Sequence, residues 1–154
     1  MVRSGGCVCG SIRYEVDREP MFVQACHCTH CQTSSGSAFN TTWITESTSH
    51  QMRQGDPKIF SSFEGGSGEG YDFYTCGDCG TGLWATVKGW SNGILFLRAG
   101  TLDKTREVKP MAHIYTKSKQ DWVILPEDVP SFNENYEREA LWPPDSLARL
   151  QKLA

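Results

Sequence analysis

A mainly β domain is the fold class predicted by this sequence of 154 residues. Three observations predict it. Short runs of alternating, β-branched or aromatic residues recur along the chain between glycine turns. Seven cysteines fall into clusters with one- and two-residue gaps, a pattern of metal ligands rather than of disulfides. After Leu125 the strand-like runs give way to a proline-punctuated, acidic stretch.

The elements follow in order. Ser11–Val16 alternates apolar and polar side chains and reads as a strand. Met21–Ala25 reads as another and runs straight into three closely spaced cysteines. Thr29–Ser35 has the length of a short helical turn, ended by Ser34-Ser35-Gly36. Ala38–Ile44 is rich in β-formers. Lys58–Phe63 and Tyr71–Thr75 flank the Gly/Ser-rich segment Glu64–Gly70, which predicts a hairpin with a mobile loop that delivers Cys76 at its exit. Leu83–Val87 and Ile94–Ala99 are strands split by the turn residues Gly89, Ser91, Asn92 and Gly93. Ala112–Thr116 is a short late strand.

Pro126, Pro130, Pro143 and Pro144 then interrupt the chain. Asp145 is the expected cap of a terminal helix, Ser146–Leu153, with Leu147, Leu150 and Leu153 on one face. The length fits one domain. The expected division is a β unit over residues 1–125 and a tail over 126–154 that wraps and packs on it.

Composition narrows the function classes. The 15 Lys+Arg against 18 Asp+Glu give a net charge of -3, which argues against nucleic-acid and anionic-membrane binding. No apolar run approaches the roughly 18 residues of a membrane span. The first ten residues, MVRSGGCVCG, contain no apolar h-region, so no signal peptide is expected. The expected setting is the reducing cytoplasm.

The cysteines are Cys7-Val8-Cys9, Cys26-His27-Cys28-Thr29-His30-Cys31 and Cys76-Gly77-Asp78-Cys79. Seven divides as four plus three. A structural zinc takes four thiolates in a closed tetrahedron, and a reactive zinc takes three protein ligands with one open position. Cys7, Cys9, Cys76 and Cys79 make the first set, two pairs that tie the N-terminus to mid-chain. Cys26, Cys28 and Cys31 make the second. Gly10 and Gly80 follow the second ligand of each pair and permit a positive-φ turn. Other readings stay open. His27 or His30 could close the triple into a second structural site, although side chains adjacent in extended chain point apart. A thioredoxin-like redox pair lacks a surrounding βαβ pattern. Seven ligands do not fill two four-cysteine iron–sulfur clusters.

Gly6-Cys7-Val8-Cys9-Gly10, Cys26-His27-Cys28-x-x-Cys31 with Ser35-Gly36 behind it, and Cys76-x-x-Cys79-Gly80 together resemble the glutathione-dependent formaldehyde-activating enzyme (Gfa/CENP-V) family. Ala99-Gly100-Thr101-Leu102-Asp103 and Pro110-Met111-Ala112-His113-Ile114, followed by Trp122, are similar as well. The resemblance covers roughly residues 3 to 125. It implies a β-rich, Mss4-like fold built on zinc. It implies a structural zinc at Cys7, Cys9, Cys76 and Cys79 and a catalytic one at Cys26, Cys28 and Cys31, two Zn²⁺ per chain. It also implies carbon–sulfur lyase chemistry that joins glutathione to formaldehyde. The tail lies outside the shared pattern, and the basic extension of CENP-V is missing here.

Three thiolates make zinc a weak Lewis acid toward water but a good partner for a soft fourth ligand. The expected reaction is therefore formation or cleavage of a thiol adduct. The partners would be glutathione or a related thiol, and formaldehyde or another small carbon electrophile. His27 and His30 are the candidates for acid–base support beside the ligands. Ser34 and Ser35 are expected to end the turn. His113 is expected to be a packed strand residue, His50 a solvent-facing loop residue, and Trp43, Trp84, Trp90 and Trp122 core. Asp103 is expected to cap backbone N–H groups of a turn. Lys104, Arg106, Lys109, Lys117 and Lys119 are expected on the solvated surface, with some available to an anionic cosubstrate. The alternative function is a non-catalytic Mss4-like zinc interaction module.

Overall fold

A computed structural model describes residues 1–62, 70–88 and 93–153. Ten strands form two sheets. Strands β1 (Arg3–Gly6), β2 (Arg13–Val16) and β5 (His50–Gln54) make a small antiparallel sheet in the order β1-β2-β5. The large sheet holds β3 (Phe22–Cys26), β4 (Asn40–Glu46), β6 (Lys58–Ser62), β7 (Tyr71–Thr75), β8 (Gly82–Val87), β9 (Ile94–Arg98) and β10 (Ala112–Ile114). Its order is β10-β3-β4-β9-β8-β7-β6, antiparallel except where β10 runs parallel to β3. The mainly β expectation holds. The Lys58–Ser62/Tyr71–Thr75 hairpin forms as the turn-flanked pattern predicts. Its connecting segment, and Gly89, Trp90, Ser91 and Asn92, lie outside the described residues, with Gly70 and Gly93 at their borders.

Two strands have no strand-like pattern of their own. Arg3–Gly6 is RSGG, and it pairs with β2 because glycine lets the Tyr14 ring lie against it: a Cβ on Gly5 would meet Tyr14 Oη at 2.4 Å. His50–Gln54 is a strand and not a polar loop. His50 is consequently half-buried, its ring 4.4 Å from Trp84 and 5.1 Å from Tyr14. Ser11–Ile12 precede β2, where Ile12 carbonyl accepts from Cys7 N–H and holds the first cysteine turn.

Two apolar clusters sit on opposite faces of the large sheet. One includes Ile12, Tyr14, Trp43, Leu83, Trp84 and Leu97, between the two sheets. The other includes Phe22, Ile44 and Trp142, with Phe132, Tyr136, Leu147, Leu150 and Leu153 of the tail packed on it. Trp142 stacks on Phe22 with ring centroids 5.4 Å apart. The tail thus covers the outer face of β3 and β4.

The tail carries α2 (Arg138–Leu141) and α3 (Pro144–Gln151). Asp145 is not the cap of α3. Pro143 occupies that position and Pro144 is the first helical residue, because proline's fixed φ suits the first turn and leaves no unpaired N–H. Arg149 of α3 reaches the buried carboxylate of Glu46 on β4, Nε to Oε1 2.7 Å. No described helix is long and apolar enough to cross a membrane.

Candidate metal centres and the adjoining cavity

The first cysteine set is assembled by turns at the edges of both sheets. Gly10 and Gly80 take φ of 80° and 73°, the left-handed conformation that the turns after Cys9 and Cys79 require. Gly10 N–H donates to Cys7 carbonyl, and Gly80 N–H to Cys76 carbonyl. The four sulfurs of Cys7, Cys9, Cys76 and Cys79 all lie within 4.8 Å of one another. Cys7 and Cys9 sulfurs are 3.4 Å apart, Cys9 and Cys76 sulfurs 3.7 Å. Zinc–sulfur bonds of about 2.3 Å in a tetrahedron place sulfurs about 3.8 Å apart, so the donor set fits zinc. Ile12 N–H donates to Cys7 Sγ at 3.2 Å, which offsets thiolate charge. The Thr81 hydroxyl and backbone hold Cys79 down to about 6, toward the ligating form.

The second set is local. β3 ends at Cys26, Cys28 caps α1 (Thr29–Ser35), and Cys31 lies in its first turn. Cys28 Sγ accepts from Cys31 N–H at 3.3 Å, so the ligand is also the helix cap. Gly36, with φ 63°, ends the helix as its sequence predicts. Cys26, Cys28 and Cys31 sulfurs again lie within 4.8 Å of one another. Hydrogen bonds from Cys26 and Cys31 hold the Cys28 thiol down, and the same contact with Cys28 pushes Cys26 up. Protons are poor substitutes for a cation among three converging sulfurs. Both groups can hold a zinc ion.

Neither histidine beside the triple joins it among the described residues. His27 is fully buried and points away, as alternation in extended chain requires. Its Nε2 is 2.9 Å from His113 Nδ1, and burial holds its pKa down to about 4. His113 is a packed residue of β10, as expected. The His27 carbonyl accepts from Gln32 Nε2 at 2.8 Å and Ser118 Oγ at 3.0 Å, which braces the ligand loop. His30 points the other way, into a cavity, with its ring 6.0 Å from Tyr71 and 5.9 Å from Phe73. Its Nε2 is buried with no hydrogen-bond partner among the described residues.

That cavity measures about 410 Å³ and has Cys26, Cys28 and Cys31 in its wall. Strand registers explain it. Cys26 faces Asn40, Thr42 faces Gln24 and Arg98, Ile44 faces Phe96, Phe96 faces Ala85, and Ala85 faces Phe73. Cross-strand partners share a face, so one side of the large sheet presents a continuous lining. The tail closes it with Tyr136, Arg138 and Trp142. The four-sulfur set lines neither this cavity nor a second one beside Ser35 and Gly82.

Several lining residues were not legible as functional. Arg98 is one: burial pushes its pKa down, and its Nη groups donate to Ser34 Oγ at 3.3 Å and Asn40 Oδ1 at 3.4 Å. The period-2 pattern of β9 pairs Arg98 with Phe96 on one face, opposite buried Leu95 and Leu97, and is the signal that could have found it. Tyr115 is another, held at φ 55° and ψ 39°, a left-handed conformation unusual for a bulky residue.

Other expectations are corrected. Trp122 is 72% exposed and not core, with its N–H turned onto the neighbouring Gln120. Asp103 pairs its carboxylate with Arg13 of β2 instead of capping backbone N–H groups. Trp43 and Trp84 are buried as expected. Lys104, Arg106, Lys109, Lys117 and Lys119 do not line the cavity. Lys117 pairs with Glu134, and Lys119 bonds the carbonyls of Gln120 and Val123. Ser35 Oγ donates to Cys31 carbonyl at 2.7 Å and belongs to the helix end.

With this arrangement in place, comparison with known proteins is decisive. The sequence model described as glutathione-dependent formaldehyde-activating enzyme matches residues 2–118. The chain belongs to this family. A crystal structure of a Rhodobacter sphaeroides protein shares the fold, with a TM-score of 0.51 and 15% identity over 70% of this chain and 91% of that one. No curated protein matches the chain. The Gfa match ends before the tail, so Tyr136, Arg138 and Trp142 are added to the cavity from outside the family segment.

Proposed function

We propose that the protein is a zinc-dependent carbon–sulfur lyase-type enzyme that forms or breaks a thiol adduct. The thiol is glutathione or a related one, and its partner is formaldehyde or another small carbon electrophile. Cys26, Cys28 and Cys31 hold the catalytic zinc, and Cys7, Cys9, Cys76 and Cys79 hold a structural one. The observation that carries this reading is the contrast between the sets. Three sulfurs with no fourth side chain among the described residues line a cavity, while the four-sulfur set lines neither that cavity nor the one beside Ser35 and Gly82. The cytoplasm is the proposed setting, since its thiol poise keeps all seven cysteines available as ligands.

Cys26, Cys28 and Cys31 would hold the zinc, which would supply affinity for a soft sulfur and would favour the thiolate form of an incoming thiol. In the forward direction the thiol releases its proton to solvent on binding, the thiolate sulfur bonds to the carbonyl carbon as the C=O π bond opens onto oxygen, and that oxygen takes one proton back. The reverse step cleaves the C–S bond and restores the carbonyl. His30 is the residue to hydrogen-bond the reacting oxygen, because it lines the cavity and its Nε2 has no hydrogen-bond partner among the described residues. Arg98, which lines the cavity beside Ser34 and Asn40, contributes positive charge toward an alkoxide or thiolate. His27, turned onto His113, fixes the ligand loop instead.

A non-catalytic zinc module would need the triple closed by a further side chain, and no histidine, aspartate or glutamate among the described residues joins it. Exchange NMR of glutathione with formaldehyde tests the proposal. The zinc-loaded protein is expected to accelerate interconversion of free thiol and adduct, and Cys28→Ser to abolish the acceleration. No acceleration by protein carrying two zinc ions overturns it.

A further inference from the structure

We infer that the electrophile taken by this site carries an apolar, aromatic or branched-alkyl group, and that the C-terminal tail is the element that selects it. This deepens the lyase reading and rests on it.

The argument starts from size. Formaldehyde has two heavy atoms and is close to water in bulk, about 30 Å³. The cavity holds about 410 Å³, within the range of sites built for much larger ligands. Glutathione's two carboxylates and its ammonium find opposite charge in the lining at Arg98, Arg138, Glu137 and Glu139, and gain nothing against the hydrocarbon part of the wall. That hydrocarbon part is a patch of Ile44, Phe73, Val87, Phe96 and Trp142, with the Tyr136 ring beside it. An aromatic or branched-alkyl substituent on the carbonyl carbon matches that wall, with its reacting end toward Cys28 and His30 and its ring among the aromatic side chains.

The wall is also built in place. Trp142 is 4% exposed and stacks on Phe22. Its Nε1 donates to Tyr136 Oη at 2.9 Å, and that hydroxyl donates to Gln24 Oε1 at 2.7 Å. Gln24 lies on β3 two residues before Cys26, so the tail wall and the sulfurs share one strand as their frame. The tail lies beyond the segment that matches the family, and this is where a chain can change substrate while keeping its metal ligands.

The chemistry is unchanged. The thiolate sulfur bonds to carbon as the C=O π bond opens, the oxygen takes up the one proton that the thiol released on deprotonation, and no oxidant or reductant takes part. Only the substituent on carbon differs, and its burial favours the transition state through contacts formaldehyde lacks.

The test compares phenylacetaldehyde with formaldehyde as partners of glutathione, using zinc-loaded full-length protein and exchange NMR. The expected result is a kcat/KM at least about tenfold higher for phenylacetaldehyde, the discrimination that apolar groups give in such pockets. Saturation-transfer NMR with 2-phenylethanol, the unreactive analogue, is expected to show ring contacts to the protein. Trp142→Ala should lower the phenylacetaldehyde-to-formaldehyde ratio about tenfold. Because Trp142 is core and its loss can unfold the tail, Ala85→Leu provides a second variant: it fills the wall between Phe73 and Phe96 and should lower the same ratio. Formaldehyde equal to or better than phenylacetaldehyde in the wild type overturns this inference and leaves the lyase reading standing. Acceleration of neither aldehyde overturns the lyase reading, and the substrate assignment with it.

Discussion

The Tyr136 hydroxyl donates a hydrogen bond to Gln24 Oε1 across 112 residues of sequence, at 2.7 Å. It joins the C-terminal tail to the strand that delivers Cys26. Burial raises the Tyr136 pKa to about 12, so the hydroxyl remains a donor across the working range. It also accepts from the Trp142 indole. Tyr136→Phe leaves two polar atoms without their partner and should cost about 1–2 kcal/mol. Urea unfolding is expected to show a lower midpoint with an unchanged m-value.

The two cysteine sets should respond differently to loss of a ligand. Metal analysis of the wild type is expected to find two zinc ions per chain. Cys7→Ser opens the set that ties β1 and β2 to the β7–β8 turn, and the free energy of metal binding there is folding free energy. That variant should bind at most one zinc and unfold well below the wild type in thermal scans. Cys28→Ser affects a local loop and should also lose one zinc, with a smaller fall in Tm. Equal collapse of both variants would mean that both sites are structural.

His50 sets a pH dependence near neutrality. Burial against Trp84 and Tyr14 lowers its pKa to about 4 from an ordinary 6.5. The unfolded chain therefore binds more protons between these values. The stability from keeping His50 neutral is complete above about pH 6.5 and is lost as pH falls toward 4. His50→Leu removes that proton uptake. It should flatten the stability profile in this window by up to about 1.4 kcal/mol per pH unit, read from chemical unfolding at several pH values.

Glu46 acts in a lower window. Burial alone would raise its pKa, but the Arg149 guanidinium, its own backbone N–H and Arg18 outweigh that and hold it down to about 2. Its stabilising contribution is present above about pH 4.5 and is lost as pH falls toward 2. Glu46→Gln strands Arg149 and loosens α3, and should cost about 3 kcal/mol at pH 7. The gap between variant and wild type should close in acid. A gap independent of pH would remove the ion pair as its cause.

The mainly β class, the helical turn at Thr29–Ser35, the 58–62/71–75 hairpin and the four-plus-three grouping of cysteines were legible in the sequence. Each is a local fact. Strand periodicity, a glycine helix end and one- or two-residue ligand gaps are written within a few neighbouring residues. β1 and β5 were not legible, because RSGG and HQMRQ become strands only through the partner beside them. Asp145 misled because a proline at the first helical position does the work expected of a side-chain cap.

The order β10-β3-β4-β9-β8-β7-β6 was decided by tertiary structure alone. Sequence periodicity says which residues of a strand share a face, and it is silent on which strands lie side by side. That ordering brings Gln24, Thr42, Arg98 and Phe96 into one lining, turns His27 onto His113 and leaves His30 in the cavity wall. It also determines what the tail covers, because Trp142 finds Phe22 only after the sheet exists. The candidate metal ligands were spelled in the chain; the shape of the space beside them is a property of long-range pairing.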